Sequence, residues 1–393
     1  MRRILSVTGS RADYGLMEPV HRALAADTGI ELHLLVTGMH LMPEFSADLE
    51  QVRSDKFGRL HEADMHVGGN TGRVMAQSIG HGVVAAAALI DEIRPDIVLL
   101  QGDRGEMLAA AISAAHMNVP VVHMSGGDFS GSIDDSVRNA ISKLAHFHLT
   151  NCDASTRRLI GMAEQPERIV EVGDPGIDRL RTLDFLPFEN LASELNLRPE
   201  EPFLIATLHP VTDEVAQAGL QMQTLLEALQ DVGLTTIFTY PNADQGGYAM
   251  REVLEAWRDR SFIRIEPSLG SRRYLSLLRH AAAIVGNSSS GLFDAPSLGI
   301  PAIDIGSRQH NRVAAPNVVR VSHERAAIAN AVRFVLADTG FRRGLADCRN
   351  PYGDGHAAER TIDVLHRLRI GAALLAKWRA PTGPFLLSTA NGI

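Results

Sequence analysis

The sequence predicts an α/β protein made of two successive Rossmann-like halves facing a cleft. Three observations carry this. Short apolar or β-branched runs alternate with helical patterns from the first residue, as parallel sheets with crossover helices require. The alternation breaks once, near Asp184–Pro202, and then restarts. The chain has 393 residues, more than one ordinary α/β core holds. The formal net charge of -8 argues against a nucleic-acid groove or an anionic membrane surface as the main partner. Only two cysteines, Cys152 and Cys348, stand far apart, which suits a reducing cytoplasm. The apolar run after Met1-Arg2-Arg3 breaks at Thr8, too soon for a signal segment, and no stretch approaches the roughly 18 apolar residues of a membrane span.

In the first half the strand candidates are Ile4–Val7, Leu32–Val36, Asp96–Leu100, Val119–His123, Phe147–Thr150 and Ile169–Val172, with helical patterns at Gly105–His116 and Asp135–Ala145. The residues just past each strand matter, because open α/β sheets place ligands at strand C-termini. After the first come Thr8-Gly9-Ser10-Arg11-Ala12-Asp13: either Arg11 and a helix N-terminus meet a phosphate, or this is a βα turn with Asp13 in the first helical turn. Thr37–Gly82 reads as a long irregular stretch, a pattern that is usually functional or mobile. Gln101-Gly102-Asp103-Arg104 offers a catalytic carboxylate and an anion contact, or an N-cap and a solvated arginine. His123-Met124-Ser125-Gly126-Gly127-Asp128 leads into Ser130, Ser132, Asp134, Asp135 and Arg138. A helix starting near Asp134 makes Asp134 and Arg138 i,i+4 neighbours. Several acids and an arginine suit proton transfer beside a charged leaving group, although capping and a surface ion pair account for any one of them. His146 and His148 alternate along a strand without a third ligand, so no metal is assigned.

Leu186–Asn190 and Arg198–Pro202 bracket one short helical stretch and form the linker. The second half then runs through Phe203–Leu208, Thr235–Tyr240, Phe262–Ile265, Ala282–Val285 and Ala302–Ile305. His209 ends the first of these strands, where it either donates to a phosphate or is structural. Tyr240–Asp244 ends the second, and Glu266–Gly270 ends the third with backbone suited to bracketing a planar base. The fourth ends in Gly286-Asn287-Ser288-Ser289-Ser290-Gly291, and the helix-compatible Leu292–Ala295 comes next. Small polar residues where a strand stops and a helix starts expose backbone N–H groups to an anion.

Taken in order, these strings closely resemble the hydrolysing UDP-N-acetylglucosamine 2-epimerases. They are Gly9–Gly15, Thr37-Gly38-Met39-His40-Leu41, Gly102-Asp103-Arg104, Gly126-Gly127-Asp128 with Ile133–Ser136, His209–Thr212, Pro241–Asp244, Gly286–Gly291 and Gly306–Arg312. The resemblance covers roughly residues 3–370, and the Arg-Ala-Asp-Tyr form of the first motif is that of the hydrolysing, sialic-acid-pathway branch. It implies the glycosyltransferase-B arrangement: residues 1–185 for the sugar and the catalytic acids, 186–355 for UDP, and 356–393 as a C-terminal helix packing back on the first domain, plus a tail. It also implies a homodimer or homotetramer acting on a UDP-sugar, with no cofactor, metal, nucleic acid or membrane.

The implied reaction removes the C2 proton while UDP departs from C1, giving a 2-acetamidoglucal, and water then adds to give the free 2-epimeric sugar. The implied catalytic set is Asp103, Asp128, Asp134, Asp135, Arg138 and His209. The implied UDP-sugar contacts are Arg11, His40, Arg104, Ser125, His209, Asn242, Ser268, Ser288, Ser289, Ser290, Gly291, Asp294 and Arg312. Two departures stand out. Ser125 replaces the glutamate the family credits with proton transfer, so Asp103, Asp128 or Asp134 takes that role, or the substrate differs, or activity is weak. Asp294 is one methylene shorter than the family's ribose-holding glutamate. The expected substrate is UDP-N-acetylglucosamine, giving N-acetylmannosamine for nonulosonic-acid or surface-glycan synthesis. The alternative is UDP-N,N'-diacetylbacillosamine, whose C4 acetamido group would use the room left by Ser125. A glycosyltransferase of the same shape and a non-catalytic sugar-nucleotide sensor are the competing classes.

Overall fold

A computed structural model describes residues 1–377 apart from 70, 131–133 and 243. Ser132 and Ile133 of the acidic motif, Asn70, Ala243 and the tail Ala380–Ile393 lie outside the described residues. The chain divides into two compact units, Met1–Arg179 together with Tyr352 onward, and Leu180–Pro351.

In the first unit the strands are β1 (Arg2–Thr8), β2 (Ile30–Val36), β3 (Arg59–Glu62), β4 (Ile97–Gln101), β5 (Val121–Met124), β6 (Phe147–Thr150) and β7 (Ile169–Glu171). They form one parallel sheet in the order β3-β2-β1-β4-β5-β6-β7. Both faces are covered, which is why the central strands read as unbroken apolar runs. Alternate residues feed opposite layers. Ile4, Leu34 and Leu99 pack with Met17 and Leu24 of the helix Arg11–Ala26 and with Val364 and Leu365 of the helix Ala357–Arg367. Leu5, Leu35 and Val98 pack with Leu89 and Ile90 of the helix Gly72–Ile93 and with Met107 and Ala111 of the helix Gly105–His116.

The second unit has β8 (Phe203–Thr207), β9 (Thr235–Thr239), β10 (Ile263–Glu266), β11 (Ala283–Gly286), β12 (Ala302–Ile305) and β13 (Val318–Val321), again parallel, in the order β10-β9-β8-β11-β12-β13. Each sheet winds outward from a central pair, β1/β4 in one and β8/β11 in the other. A crevice opens at such a reversal beyond the strand C-termini.

Three sequence readings are corrected. Thr37–Gly82 is not irregular throughout: it contains the helix Ser46–Asp55, β3 and the start of the helix Gly72–Ile93. The strands β3 and β13 went unread because each is a four-residue sheet edge carrying exposed or half-exposed residues (Arg-Leu-His-Glu in β3), with no buried run to mark it. The helix Gly72–Ile93, at 22 residues, is long and apolar enough by composition to cross a membrane. In the structure it is the crossover between β3 and β4, with Gly82, Ala86, Leu89, Ile90 and Ile93 buried.

Candidate functional site

At the reversal of the second sheet, β11 ends at Gly286. This residue has φ 132°, and a Cβ there would lie 1.9 Å from the Thr207 carbonyl oxygen of β8, so the position admits glycine alone. The next residue, Asn287, is the hub. Its side-chain oxygen accepts from the His209 amide (2.7 Å) and its side-chain nitrogen donates to the His209 carbonyl (2.8 Å). Its own carbonyl accepts from Arg308 Nη1 (3.2 Å) and Gln309 Nε2 (2.9 Å). Gln309 in turn accepts from Arg312 Nη1 (3.0 Å). One asparagine thereby fixes His209 and positions two arginines at the same strand end.

The Asn242 amide donates to His209 Nδ1 (3.0 Å), so Nδ1 is the acceptor and the imidazole proton sits on Nε2. Burial, reinforced by the Arg308 charge, lowers the His209 pKa to about 4. At neutral pH the ring is an uncharged N–H donor.

Ser288, Ser289 and Ser290 make a tight turn. Gly291 N donates to Ser288 O and Leu292 N to Ser289 O, while among the described residues the Ser288 and Ser289 amides make no backbone hydrogen bond. The helix that begins there is only Ser290–Phe293, so the anion-binding capacity lies in the turn amides rather than in an aligned helix dipole. Ser290 Oγ donates to Asp294 Oδ2 (2.6 Å). Tyr274 Oη is buried beside Ser288, Ser290 and Asp294, with no partner in hydrogen-bonding geometry among the described residues. Its pKa is raised, chiefly by burial and then by Asp294, with the serine hydroxyls offsetting in part. Gly291 is buried against Ala302 and contributes packing. Ser268 is exposed, its hydroxyl accepting from the Gly270 amide (3.4 Å).

At the reversal of the first sheet, Gly102 and Asp103 come directly after β4. His123 Nε2 donates to the Gly102 carbonyl (2.7 Å) and Nδ1 accepts from Ser142 Oγ (3.0 Å), a buried neutral ring that props the turn beneath Asp103. Arg138 is 4% exposed; it pairs with Asp103 and Asp135 and donates to the Asp128 carbonyl (3.0 Å). The pair with Asp135 is an i,i+3 contact on the helix Asp134–Leu144, whose start at Asp134 also makes Asp134 and Arg138 the i,i+4 neighbours the sequence expected. Burial raises the Asp103 pKa, Arg138 opposes this, and Asp134, Asp128 and Asp135 add to it. The structure therefore gathers Asp103, Asp128, Asp134, Asp135 and Arg138 at one strand end. Ser125 lies beside them, buried, at φ 58°, its hydroxyl accepting from Gln101 Nε2 (2.9 Å).

The loop after β1 takes the second of the two forms the sequence allowed, a βα turn with Asp13 in the first helical turn. Asp13 turns back so that its carboxylate accepts from Thr8 Oγ1, Ser10 Oγ (2.9 Å) and the Gly9 amide (3.3 Å). An internal anion thus fills the N-terminal turn where a phosphate was one expectation. Arg104 Nε lies 3.6 Å from Asp13 and Nη2 lies 2.9 Å from Glu106. His40 is buried, with Nε2 3.0 Å from Thr8 Oγ1; it supports the strand end from within. Arg11 is exposed at the first helical position. Burial lifts the Asp13 pKa to about 6 against the opposing bonds from Thr8 and Ser10.

The sequence reading passed over Asn287, Arg308 and Tyr274. Asn287 stood inside the quoted Gly-Asn-Ser-Ser-Ser-Gly string and Arg308 inside another, so their signal was present; Tyr274 lies mid-helix, with no motif to mark it. Among the described residues no three His, Cys, Asp or Glu side chains converge as a metal cage.

The profile of a family described as UDP-N-acetylglucosamine 2-epimerase matches residues 22–366. The chain is 36% identical over 380 residues to the UDP-N,N'-diacetylbacillosamine 2-epimerase (hydrolyzing) of Legionella pneumophila, covering 97% of this chain and 100% of that one. It is 34% identical over 333 residues to the UDP-N-acetylglucosamine 2-epimerase of Neisseria meningitidis, covering 85% and 87%. Among solved structures, a Neisseria meningitidis UDP-GlcNAc 2-epimerase bound to UDP-GlcNAc superposes with a TM-score of 0.79 at 18% identity, covering 93% of this chain and 99% of that one. The Methanocaldococcus jannaschii enzyme in complex with UDP-GlcNAc and UDP gives 0.74 at 18% identity, covering 93% and 99%.

Proposed function

The chain belongs to the UDP-N-acetylglucosamine 2-epimerase family, and from that premise we propose that it is a hydrolysing 2-epimerase acting on a UDP-2-acetamido sugar. The observation that carries this is the opposite chemistry at the two sheet reversals. One offers neutral and cationic donors, His209 Nε2, the Ser288–Ser289 amides, Arg308 and Arg312. The other offers carboxylates, Asp103, Asp128, Asp134 and Asp135. The first set suits a leaving diphosphate, with Asp294 and Tyr274 assigned to the ribose. The second suits proton transfer at C2.

The two sets serve one sequence of steps. The C1–O bond breaks and UDP leaves with the electron pair. Charge building at C1 acidifies C2–H, and a carboxylate takes that proton, giving the 2-acetamidoglucal. Water then adds across the double bond, its hydroxyl to C1 and a proton to C2 from the other face. Asp103 is our candidate for the proton-transfer role that Ser125 cannot fill, since burial raises its pKa and Arg138 holds it in place.

A second reading of the substrate, the diacetylbacillosamine nucleotide, is favoured by Ser125, which leaves a short side chain where the family carries a glutamate, and by the activity named for the Legionella relative.

Incubation with each UDP-sugar in D₂O tests both readings. We expect UDP and a free sugar carrying deuterium at C2. Recovery of an intact epimerised UDP-sugar would sink the hydrolytic reading, and turnover of UDP-N-acetylglucosamine without the bacillosamine nucleotide would sink the second. Cytoplasmic location and a role in nonulosonic-acid synthesis belong to the same proposal.

A further inference from the structure

Beyond β12 the chain turns through Gly306–Arg312, the loop that carries Arg308 and Arg312. Two main-chain bonds close it, from the His310 amide to the Ser307 carbonyl (3.0 Å) and from the Arg312 amide to the Gln309 carbonyl (3.0 Å). A third arginine reaches the loop from the neighbouring strand. Arg320, in β13, donates from Nη2 to the Arg312 carbonyl (2.8 Å) and to the Gln309 carbonyl (3.3 Å). The Gln309 side chain already joins Arg312 to the Asn287 carbonyl, so Arg320 grips the segment that ties both loop arginines to the end of β11.

The near end of the Arg320 guanidinium is held by Asp304. The two are cross-strand partners in the β12–β13 register, with Arg320 Nε 3.4 Å from Asp304 Oδ2. The Asp304 side chain is 2% exposed, and among the described residues neither oxygen has a partner in hydrogen-bonding geometry. A carboxylate buried in this way is costly and needs a compensating charge. Arg320 supplies it at ion-pair distance, and Arg308 adds to the field. The neighbours of Asp304 in β12 are Ile303 and Ile305, so an apolar residue would pack here without that cost. The position has a further property. Asp304 is the register partner of Gly286 in β11, and with Gly286, Ser288 and Gly291 it lines a cavity of about 10 Å³ directly behind the serine turn.

An arginine anchored at Nε presents its planar fork in one direction. We propose that Arg320, anchored by Asp304, is a positioning residue for the leaving diphosphate: it fixes the loop so that Arg308 and Arg312 stand at the end of β11. The inference rests on the reading of this strand end as the diphosphate site. Both residues act through the loop and through its arginines.

Calorimetric titration of the full chain with UDP tests it. Arg320→Lys keeps a charge beside Asp304 but loses the fork. The UDP dissociation constant should rise about 10-fold, as loss of one hydrogen bond from a charged group does, with an unchanged thermal melt. In a background of Arg312→Ala the same change should cost about 3-fold or less, because one of the two arginines it places is gone. Asp304→Asn separates positioning from the local field by sign. Removing a carboxylate from behind a diphosphate site tightens UDP if the field alone acts, whereas positioning demands weaker binding. This variant also keeps the test decisive if Arg320→Lys folds poorly. An Arg320→Lys protein that melts and binds UDP like wild type, an undiminished loss in the Arg312→Ala background, or equal or tighter binding by Asp304→Asn would overturn the proposal. A wild type that binds no UDP would overturn the diphosphate reading itself, and this inference with it.

Discussion

His209 shows how the fold chooses a protonation state. Its Nδ1 accepts the Asn242 amide and its burial favours the neutral ring, so the lowered pKa of about 4 leaves a donor at Nε2 through the neutral range. An ordinary histidine titrates near 6.5. The folded state therefore binds the proton less well than the unfolded chain, and the stability His209 contributes is lost as pH falls from about 6.5 through 4. Histidine NMR should give a midpoint near 4 with the proton on Nε2; a midpoint above 6 contradicts the neutral-donor role. Asp13 runs the other way. Its folded pKa of about 6 lies above the unfolded value of about 3.9, so its contribution, about 3 kcal/mol, is complete below pH 4 and lost as pH rises through 6. Urea denaturation from pH 4 to 7 should show that decline in the wild type and not in Asp13→Asn. At Asp103, replacement by Asn should lower kcat by about 10²–10⁴-fold with the melting temperature retained; a smaller loss would move the proton-transfer role to Asp128 or Asp134. The strand-end positions of Asp103 and His209 were legible in the sequence, because chemistry-bearing residues broke apolar runs. The turned-back Asp13 was not, because whether an N-terminal acid faces solvent or its own loop depends on what surrounds it, here Arg104 and Glu106.

Among the elements, the joint after β11 works through backbone geometry more than through its serines. Gly286→Ala would set a methyl against the Thr207 carbonyl at 1.9 Å, on a backbone conformation closed to L side chains. Loss of soluble protein, or a destabilisation of several kcal/mol, is expected. Asn287→Ala should be milder in stability and sharper in binding. It releases both bonds to the His209 backbone, so the KM for nucleotide sugar should rise well before the melting temperature falls. Equal loss in both would make Asn287 merely structural. The string Gly-Asn-Ser-Ser-Ser-Gly marked this joint, but the sequence reading credited a helix dipole, and the helix proves to be four residues long. Helix length after a strand is set by where the next strand, β12, must begin, which no local pattern records. The edge strands β3 and β13 escaped for a related reason, since pairing at a sheet edge needs a neighbour more than an apolar run.

On the scale of the whole molecule, the chain leaves its first unit at Arg179 and re-enters it at Tyr352. The returning segment is held by polar contacts with residues far away in sequence. Asp178 accepts from the Ala357 and Ala358 amides, Arg168 donates to the Leu374 and Ala373 carbonyls, and Lys377 pairs with Glu164. Glu164 is fully buried at its side chain, with His148 and Lys143 completing its shell. Burial alone would raise its pKa, but the bonds from His148, Lys377 and Lys143 outweigh it and leave the value at about 2. Its stabilising contribution is therefore present above about pH 4.5 and lost as pH falls towards 2. Glu164→Gln leaves buried cations uncompensated and should cost about 3–5 kcal/mol in denaturant unfolding; a loss under 1 kcal/mol would show that the segment is held by Val364, Leu365 and Leu368 alone.

What the sequence determined by itself was the repeating βα order, the two halves and the residue types at most strand ends, because apolar periodicity and strand-terminating polar residues are local properties. What only the tertiary structure decided was which of those residues meet. Arg138 reaches Asp103 and Asp135, Asn287 takes hold of His209, and Asp13 folds back on its own loop. The Arg138–Asp103 and Asn287–His209 contacts join strand ends that are neighbours in the sheet and distant in the chain, so they exist only once the strands are in register.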